Sequence, residues 1–159
     1  MPKEVVLKEG SLNASGKRFA VIASRWHHAI VELLIEGALE TLKREGSAEK
    51  DISLIRVPGS FEIPLAALTA ARSGHYDAVI ALGVLIRGDT DHYQLIAEEL
   101  SAGLSRVMFD TEVPVAFGVL TVDKVEHAEA RAGGEHGNKG QEAALAAIEM
   151  ANLLPLIRK

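Results

Sequence analysis

The sequence predicts an α/β fold of three layers, in which a parallel β-sheet lies between two layers of helices. Short runs of apolar and β-branched residues alternate with longer segments of helical periodicity along the 159 residues. The strand runs are apolar nearly throughout, as is typical of strands buried on both faces. The alternation of strand and helix predicts a parallel sheet whose crossover connections are right-handed. The length favours one domain over residues 1–159, including an N-terminal arm at 1–15.

The first half of the chain opens with a strand over Phe19–Ser24, whose sequence is FAVIAS. His28–Glu45 places its apolar residues on one helical face, and Gly46 stands where a helix C-terminal glycine belongs. Asp51–Val57 is the second predicted strand. The dipeptide Pro58-Gly59 ends it, because neither residue favours continued strand structure.

The middle of the chain repeats the pattern. Pro64 is suited to the start of a helix that runs to Ser73 and is closed by Gly74. Ala78–Ile86 is the third strand. It leads through a polar turn into a helix at about Asp91–Asp110.

The fourth strand is predicted at Val115–Leu120. Asp123 and Glu126 have the spacing of a capping box for a short helix that ends near Arg131. The glycine-rich segment Gly133–Gly140 is predicted as a loop.

The last helix is predicted at Lys139–Leu154, with Pro155 as its stop signal. It is apolar around most of its circumference, so one face can cover the sheet while the other needs a second copy of the chain. Val5–Lys8 is a further candidate strand, which would add to the sheet of a neighbouring subunit and remove an exposed edge.

Composition excludes several classes of function. The formal charge is −5, from 17 Lys and Arg against 22 Asp and Glu, which argues against a nucleic-acid partner. The absence of cysteine excludes disulfides, zinc–thiolate sites and cysteine nucleophiles. The N-terminus has no signal-peptide pattern, and no apolar run approaches the roughly 20 residues of a membrane span. We therefore expect a cytoplasmic protein without a membrane partner.

Chemistry is expected at the carboxyl ends of the strands, where open parallel sheets bind ligands. The segment 87–92 is the most informative. Thr90 is predicted as the N-cap of the following helix, whose free N–H groups favour an anion. His92 lies on the first helical turn, where an imidazole can exchange a proton near neutral pH. Taken alone, this segment fits an ordinary capped helix with a surface histidine equally well.

Two cations lie near the last helix. Lys139 opens that helix, where a cation opposes the helix dipole unless an anion or a carboxylate lies beside it. Arg131 ends the preceding short helix, where a cation is favourable. Each fits a solvated position as well as a ligand site.

Aromatic side chains are also predicted at strand ends. If Trp26, Phe61 and Phe117 converge on one edge of the sheet, they favour a planar heterocycle as ligand. Glu62 near the start of the second helix is placed favourably for the helix dipole. The histidines other than His92 show no spacing typical of a metal site, so no metal is predicted.

Several phrases of the sequence, taken together, resemble the lumazine synthase family. They are, in order, VPGSFEIPLAA at 57–67, DAVIALGVLIRGDTDH at 77–92, PVAFGVLTVD at 114–123, ARAG at 130–133 and HGNKGQEAALAAIEMANLL at 136–154. A single phrase such as GNKG is weak, but the ordered set at these spacings is very specific. The resemblance covers Gly16 to Leu154.

The resemblance implies a flavodoxin-like fold and an enzyme of riboflavin biosynthesis. Members join 5-amino-6-(D-ribitylamino)uracil to 3,4-dihydroxy-2-butanone 4-phosphate and form 6,7-dimethyl-8-ribityllumazine, phosphate and water, without a cofactor. It also implies a homo-oligomer, with a site between neighbouring subunits of a pentamer. The short Arg131–Lys139 loop resembles members that build icosahedral shells of sixty subunits from twelve pentamers. Association with riboflavin synthase is left open.

Carried onto this chain, the resemblance assigns the substrate phosphate to Asp89 and Thr90, with Arg131 from the neighbouring subunit. It assigns proton transfer to His92. The pyrimidine is assigned to a longer set of side chains and strand backbone: Trp26, Ser60, Phe61, Glu62, Val84, Leu85, Ile86, Phe117 and Lys139.

Two segments depart from the family pattern. The usual Arg-Phe-Asn after the first strand is Arg25-Trp26-His27 here, which keeps a stacking ring but changes the size and hydrogen bonding of the next side chain. The usual Thr-Pro-His is Thr90-Asp91-His92, which adds an N–H group and a negative charge near the phosphate. These changes alone support the alternative of a flavin- or lumazine-binding homologue with little turnover.

The retained groups favour the enzyme over that carrier, because His92, Arg131 and Lys139 are all present. A third alternative, a signalling receiver domain of similar topology, requires an acidic pair at the end of the first strand. Ala23-Ser24-Arg25 stands there instead, so the receiver reading lacks its expected feature.

Overall fold

The computed structural model describes residues 4–159, and a sheet of four parallel strands forms its centre. The strands are β1 (Phe19–Ser24), β2 (Ile52–Val57), β3 (Ala78–Ile86) and β4 (Val115–Val122). Their order across the sheet is β2-β1-β3-β4, which is the flavodoxin-like arrangement. The predicted α/β fold with a four-stranded parallel sheet is confirmed.

Helices cover both faces of this sheet. They are α1 (His28–Arg44), α2 (Ile63–Arg72), α3 (His92–Thr111), α4 (Val125–Ala130) and α5 (Lys139–Arg158). Helices α1 and α5 pack on one face, and α2 and α3 pack on the other. The sheet therefore separates two hydrophobic cores.

The alternation of side chains along β1 supplies both cores. Phe19, Val21 and Ala23 pack towards α1 and α5, whereas Ala20 and Ile22 pack towards α2 and α3. All five are completely buried. This is why the strand is apolar nearly throughout rather than alternately polar.

Helix α5 corrects the prediction that Pro155 stops the last helix, because the helix continues to Arg158. Proline removes one N–H donor, but the final turn is held by contacts from elsewhere in the chain. Lys8 Nζ donates to the Leu156 carbonyl at 3.0 Å, and the Arg158 guanidinium donates to the Glu112 carbonyl at 3.3 Å. These long-range contacts offset the missing helix bond.

Two predicted helix caps are wrong. The N-cap of α3 is Asp91 rather than Thr90, and its side chain makes no capping bond. The N-cap of α4 is Lys124, so the predicted capping box of Asp123 and Glu126 does not form. Asp123 Oδ1 instead accepts a hydrogen bond from Arg87 Nε at 2.8 Å.

The glycine-rich segment before α5 is more ordered than predicted. It contains two short antiparallel strands, β5 (Ala132–Gly134) and β6 (Gly137–Asn138). Asn138 Oδ1 caps α5 by accepting from the N–H groups of Gly140 and Gln141, at 2.8 and 3.1 Å. Its Nδ2 donates to the Leu33 carbonyl at 3.0 Å, which ties the start of α5 to α1.

The N-terminal arm runs beside α5. Asn152 Nδ2 donates to the carbonyls of Ser11 and Asn13, each at 2.9 Å. Val5–Lys8 forms no strand within the described chain, and the side chains of Val5, Val6 and Leu7 are exposed. Pairing of this segment with the sheet of another copy stays a prediction. Among residues 4–159, none of the helices is both long and apolar enough to cross a membrane.

Candidate functional site

The carboxyl end of β3 projects beyond its neighbour β1. Pairing between these strands ends at Ala23 opposite Leu82, whereas β3 continues to Ile86 and pairs with β4 along that whole stretch. The connections from β1 and β3 lead to opposite sides of the sheet, so this is its topological switch point. Within residues 4–159, the β1-facing backbone edge of Val84–Ile86 has no strand partner, and its N–H and C=O groups can meet a polar ligand edge.

A cavity of about 500 Å³ opens at this end of the sheet. We call it the strand-end cavity, and it is lined by Trp26, Gly59, Ser60, Phe61, Glu62, Leu85, His92, Leu95, Ile96 and Glu99. Trp26 and Phe61 are 70% and 60% exposed, which is unusual for such large apolar rings in a folded chain. Two exposed rings beside a cavity suit the stacking of a flat ligand.

Helix α3 contributes a full face to this cavity. His92 is its first residue, and Leu95, Ile96 and Glu99 follow on the same side. Leu95, Ile96 and Glu99 were not among the residues predicted for the site. Their helical spacing from His92 is the signal that could have found them.

The turn before His92 is held by Arg87. Arg87 Nε donates to Asp123 Oδ1 at 2.8 Å, and its guanidinium carbon lies 5.2 Å from the centre of the Tyr93 ring. Both partners of the ion pair are more than half exposed, so the pair contributes at most about 1 kcal/mol. The pair joins the residue that follows β3 to the residue that follows β4, and it thereby anchors the start of the turn that leads to His92.

The turn itself is polar and exposed. Asp89 and Thr90 lie in it, and the Thr90 hydroxyl accepts a long hydrogen bond of 3.4 Å from the His92 N–H. Neither residue lines the strand-end cavity. The exposed Thr90 hydroxyl beside the start of α3 can donate to an anion, whereas the Asp89 carboxylate cannot.

A second cavity, of about 570 Å³, lies along the outer edge of β4. We call it the edge cavity, and its charged and imidazole side chains are Asp123, His127, Arg131, His136, Lys139 and Glu142. Arg131 donates to the His127 carbonyl at 3.0 Å and stands at the end of α4, as predicted. Lys139 Nζ lies 3.9 Å from Glu142 Oε2, which provides the carboxylate expected beside a cation at a helix start.

Phe117 corrects a prediction, because it does not lie at the end of a strand. It is the third residue of β4 and pairs with Ala81 in the middle of β3. Gly118 does not break the strand, since Leu82 and Ala143 pack where its side chain would stand. Phe117 lines the edge cavity and not the strand-end cavity, so the three aromatic residues do not converge within one chain.

The structure thus divides the predicted site residues into groups. Six line the strand-end cavity: Trp26, Ser60, Phe61, Glu62, Leu85 and His92. Three line the edge cavity: Phe117, Arg131 and Lys139. Val84 is completely buried on the α1 side and Ile86 packs against the same core, so only their backbone can reach a ligand.

His27 has an unusual backbone conformation. Its φ of 60° and ψ of 48° are left-handed, which glycine and asparagine adopt more readily than other residues. Partial burial lowers the pKa of its imidazole below the ordinary value of 6.5. A strained residue directly after Trp26 is consistent with a constraint at the cavity rim.

No metal centre is suggested by the described part of the chain, because residues 4–159 contain no group of three or more His, Asp or Glu side chains that could hold a metal ion. His28, the neighbour of His27, instead lies 3.5 Å from Glu32, which also pairs with Arg56.

The fold and the strand-end cavity together define a flavodoxin-like α/β protein with an open cavity at the switch point of its sheet. The family model described as 6,7-dimethyl-8-ribityllumazine synthase matches residues 16–155, and the chain belongs to that family. The match begins where the N-terminal arm ends.

Named relatives agree with the family model. The protein named 6,7-dimethyl-8-ribityllumazine synthase from Aquifex aeolicus is 55% identical over 150 residues, covering 94% of this chain and 97% of that protein. A protein of the same name from Xanthomonas euvesicatoria is 53% identical over 149 residues, with the same coverage. These names favour the enzyme over a carrier homologue with little turnover.

Proposed function

We propose that this chain catalyses the reaction of its family in riboflavin biosynthesis. It joins 5-amino-6-(D-ribitylamino)uracil to 3,4-dihydroxy-2-butanone 4-phosphate, and it releases 6,7-dimethyl-8-ribityllumazine, phosphate and water. The observation that carries this proposal is the strand-end cavity, which combines the imidazole of His92 with the exposed rings of Trp26 and Phe61.

The pyrimidine occupies the strand-end cavity in this proposal. Its ring lies against Trp26, and its polar edge meets the unpaired backbone of Val84–Ile86. Glu62 lies beside the same space, where its carboxylate can accept hydrogen bonds from the ribityl hydroxyls. An extended strand edge alternates N–H and C=O groups, which matches the alternating donors and acceptors of a uracil ring.

The phosphate of the second substrate lies between the Asp89–Thr90 turn and Arg131 of a neighbouring copy. The N-terminus of α3 supplies N–H groups, and the guanidinium supplies a charge-assisted donor. Stabilising the departing phosphate lowers the barrier to its elimination.

His92 moves protons during the reaction. The amine of one substrate attacks the ketone of the other with loss of a water molecule, phosphate is eliminated, and the second ring closes with loss of a second water. Each stage requires a proton to be delivered or removed, and His92 lines the cavity where the pyrimidine lies. Much of the rate comes from holding two reactive substrates together.

A second copy of the chain completes this site. The edge cavity of one copy would supply Phe117, Arg131 and Lys139 to the strand-end cavity of the next. An apolar groove of about 610 Å³ between α3 and α5 supports association, because it leaves Phe109 80% exposed and includes Met150 and Ile157. We include in the proposal a pentamer, a shell of sixty subunits, one domain over residues 1–159 and a cytoplasmic location.

The direct test mixes the purified protein with both substrates and follows lumazine fluorescence. We expect turnover that depends on enzyme concentration and exceeds the uncatalysed condensation. Lumazine binding without faster formation would contradict the proposal and favour a carrier.

A further inference from the structure

Among residues 4–159, two buried hydroxyl groups at the base of the strand-end cavity have no hydrogen-bond partner. They belong to Ser24, which is completely buried, and to Ser60, which is 5% exposed. Buried hydroxyls are nearly always paired in folded proteins, so an unpaired one calls for a specific explanation. Here two of them occur at one place.

Both hydroxyls converge on Gly83. A Cβ atom built on Gly83 would lie 2.9 Å from Ser60 Oγ and 3.1 Å from Ser24 Oγ, with Ile63 Cδ1 at 3.4 Å. Such distances are shorter than side chains tolerate without movement, so the missing side chain of Gly83 makes room for the two oxygens. Ser24 ends β1, and Gly83 lies on the neighbouring strand β3.

Ser60 links the space beside Gly83 to the strand-end cavity. It opens the short 3₁₀ turn Ser60–Glu62, which carries Phe61 and Glu62 to the cavity wall. Gly83 directly precedes the unpaired end of β3. A shift of the Ser60 backbone away from Gly83 would therefore displace a wall of the proposed pyrimidine site.

We propose that Gly83 and Ser24 are positioning residues for the pyrimidine site. Because Gly83 has no side chain, the Ser60 hydroxyl can lie beside β3, and the Ser24 hydroxyl lies on the other side of the same space. We call this space the niche. Together they fix the turn that presents Phe61 and Glu62. This inference rests on the proposed function, because it takes the strand-end cavity as the pyrimidine site.

The test is the variant Gly83→Ala, whose methyl group occupies the niche. We expect the affinity for 5-amino-6-(D-ribitylamino)uracil to fall about tenfold, which is roughly the loss caused by displacing one ordinary binding contact. The affinity for inorganic phosphate should change less than the pyrimidine affinity. Quenching of Trp26, the single tryptophan, measures the pyrimidine affinity without turnover, and titration calorimetry measures the phosphate affinity.

A rescue separates positioning from general damage. Adding Ser60→Ala to Gly83→Ala removes the nearest oxygen, so the double variant should bind pyrimidine better than Gly83→Ala alone. Gly46→Ala is the control, since its Cβ would lie 2.6 Å from the Ser15 hydroxyl at the opposite end of the sheet. It should leave pyrimidine affinity unchanged.

Should Gly83→Ala fail to fold, Ser24→Thr adds a single methyl group to the same niche and should lower pyrimidine affinity selectively. Equal losses for both probes, no rescue by Ser60→Ala, or an unchanged affinity in folded Gly83→Ala or Ser24→Thr would overturn the inference. Failure of the proposed function is distinguishable, because wild-type protein would then show no lumazine formation whatever the variants bind.

Discussion

Arg131 and His92 line two different cavities of the same chain. His92 opens helix α3 at the strand-end cavity, and Arg131 ends helix α4 at the edge cavity. The two cavities have no lining residue in common. In the site we propose, His92 of one copy and Arg131 of a neighbouring copy act on the same pair of substrates.

His92→Ala is expected to lower turnover by roughly 10²-fold or less, because general acid–base catalysis is typically worth about 10²–10⁴ and proximity supplies much of this rate. The variant should fold and bind phosphate normally. Steady-state kinetics at neutral pH measure the effect. Turnover equal to that of the wild type would remove His92 from the mechanism.

Arg131→Ala is expected to weaken binding of the butanone phosphate by roughly ten- to a hundredfold, because a hydrogen bond to a charged group contributes about 1.5–3 kcal/mol. The pyrimidine should lose much less affinity. The KM values of the two substrates test this difference. Equal increases in both would indicate structural damage instead.

His27 makes stability depend on pH in a defined direction. Burial lowers its folded-state pKa below 6.5, so the unfolded chain binds the proton more tightly. As pH falls through 6.5, this site destabilises the folded state until the folded pKa is also passed. His27→Asn removes the titrating group and lowers the cost of the left-handed backbone conformation at this position.

The comparison is made by thermal unfolding at one fixed protein concentration. The wild type should melt below His27→Asn, and the difference should widen between pH 7.5 and 5.5. A difference that is constant over this range would show that His27 titrates alike in the folded and unfolded chains.

Much of the fold could be predicted because its signals are local. Strands β1 and β3 have the predicted boundaries, since their apolar runs are bounded by polar residues or turn residues. The helix end before Gly46 is also as predicted, and that glycine has a φ of 109°. Such features depend on neighbours in sequence.

Two of the wrong predictions involve positions that contact a distant segment of the chain. Asp123 has a capping-box spacing but pairs with Arg87, and Pro155 does not end α5 because Lys8 holds the carbonyl that follows. The capping-box spacing at Asp123 and the helix-breaking tendency of Pro155 are sound signals when only the neighbouring residues are considered. Contacts with residues far away in the sequence override these local signals, and the sequence does not say which distant residues come close together.

The candidate site was predictable as a set of residues but not as an arrangement. The motif at 77–92 identifies His92 and the end of β3. It does not show that β3 extends beyond the end of β1 or that Phe117 lies in the middle of an edge strand. Both depend on strand register, which only the folded sheet defines.

The assembly is expected to be at least pentameric, as the family resemblance implies, and the apolar groove between α3 and α5 is a surface that association would bury. Light scattering at micromolar concentration measures its mass. A value near the 17.0 kDa of one chain would refute association. A value near five chains would support a bare pentamer, and a megadalton particle would support the shell.

A subunit-mixing experiment tests most directly whether neighbouring copies share the site. His92→Ala and Arg131→Ala chains are co-expressed, purified together and assayed against each variant alone. In a random equal mixture, roughly a quarter of the sites combine an intact His92 with an intact Arg131 from the neighbour. We therefore predict activity well above the mean of the two variants. Activity no higher than that mean, in assemblies shown to contain both chains, would contradict a shared site.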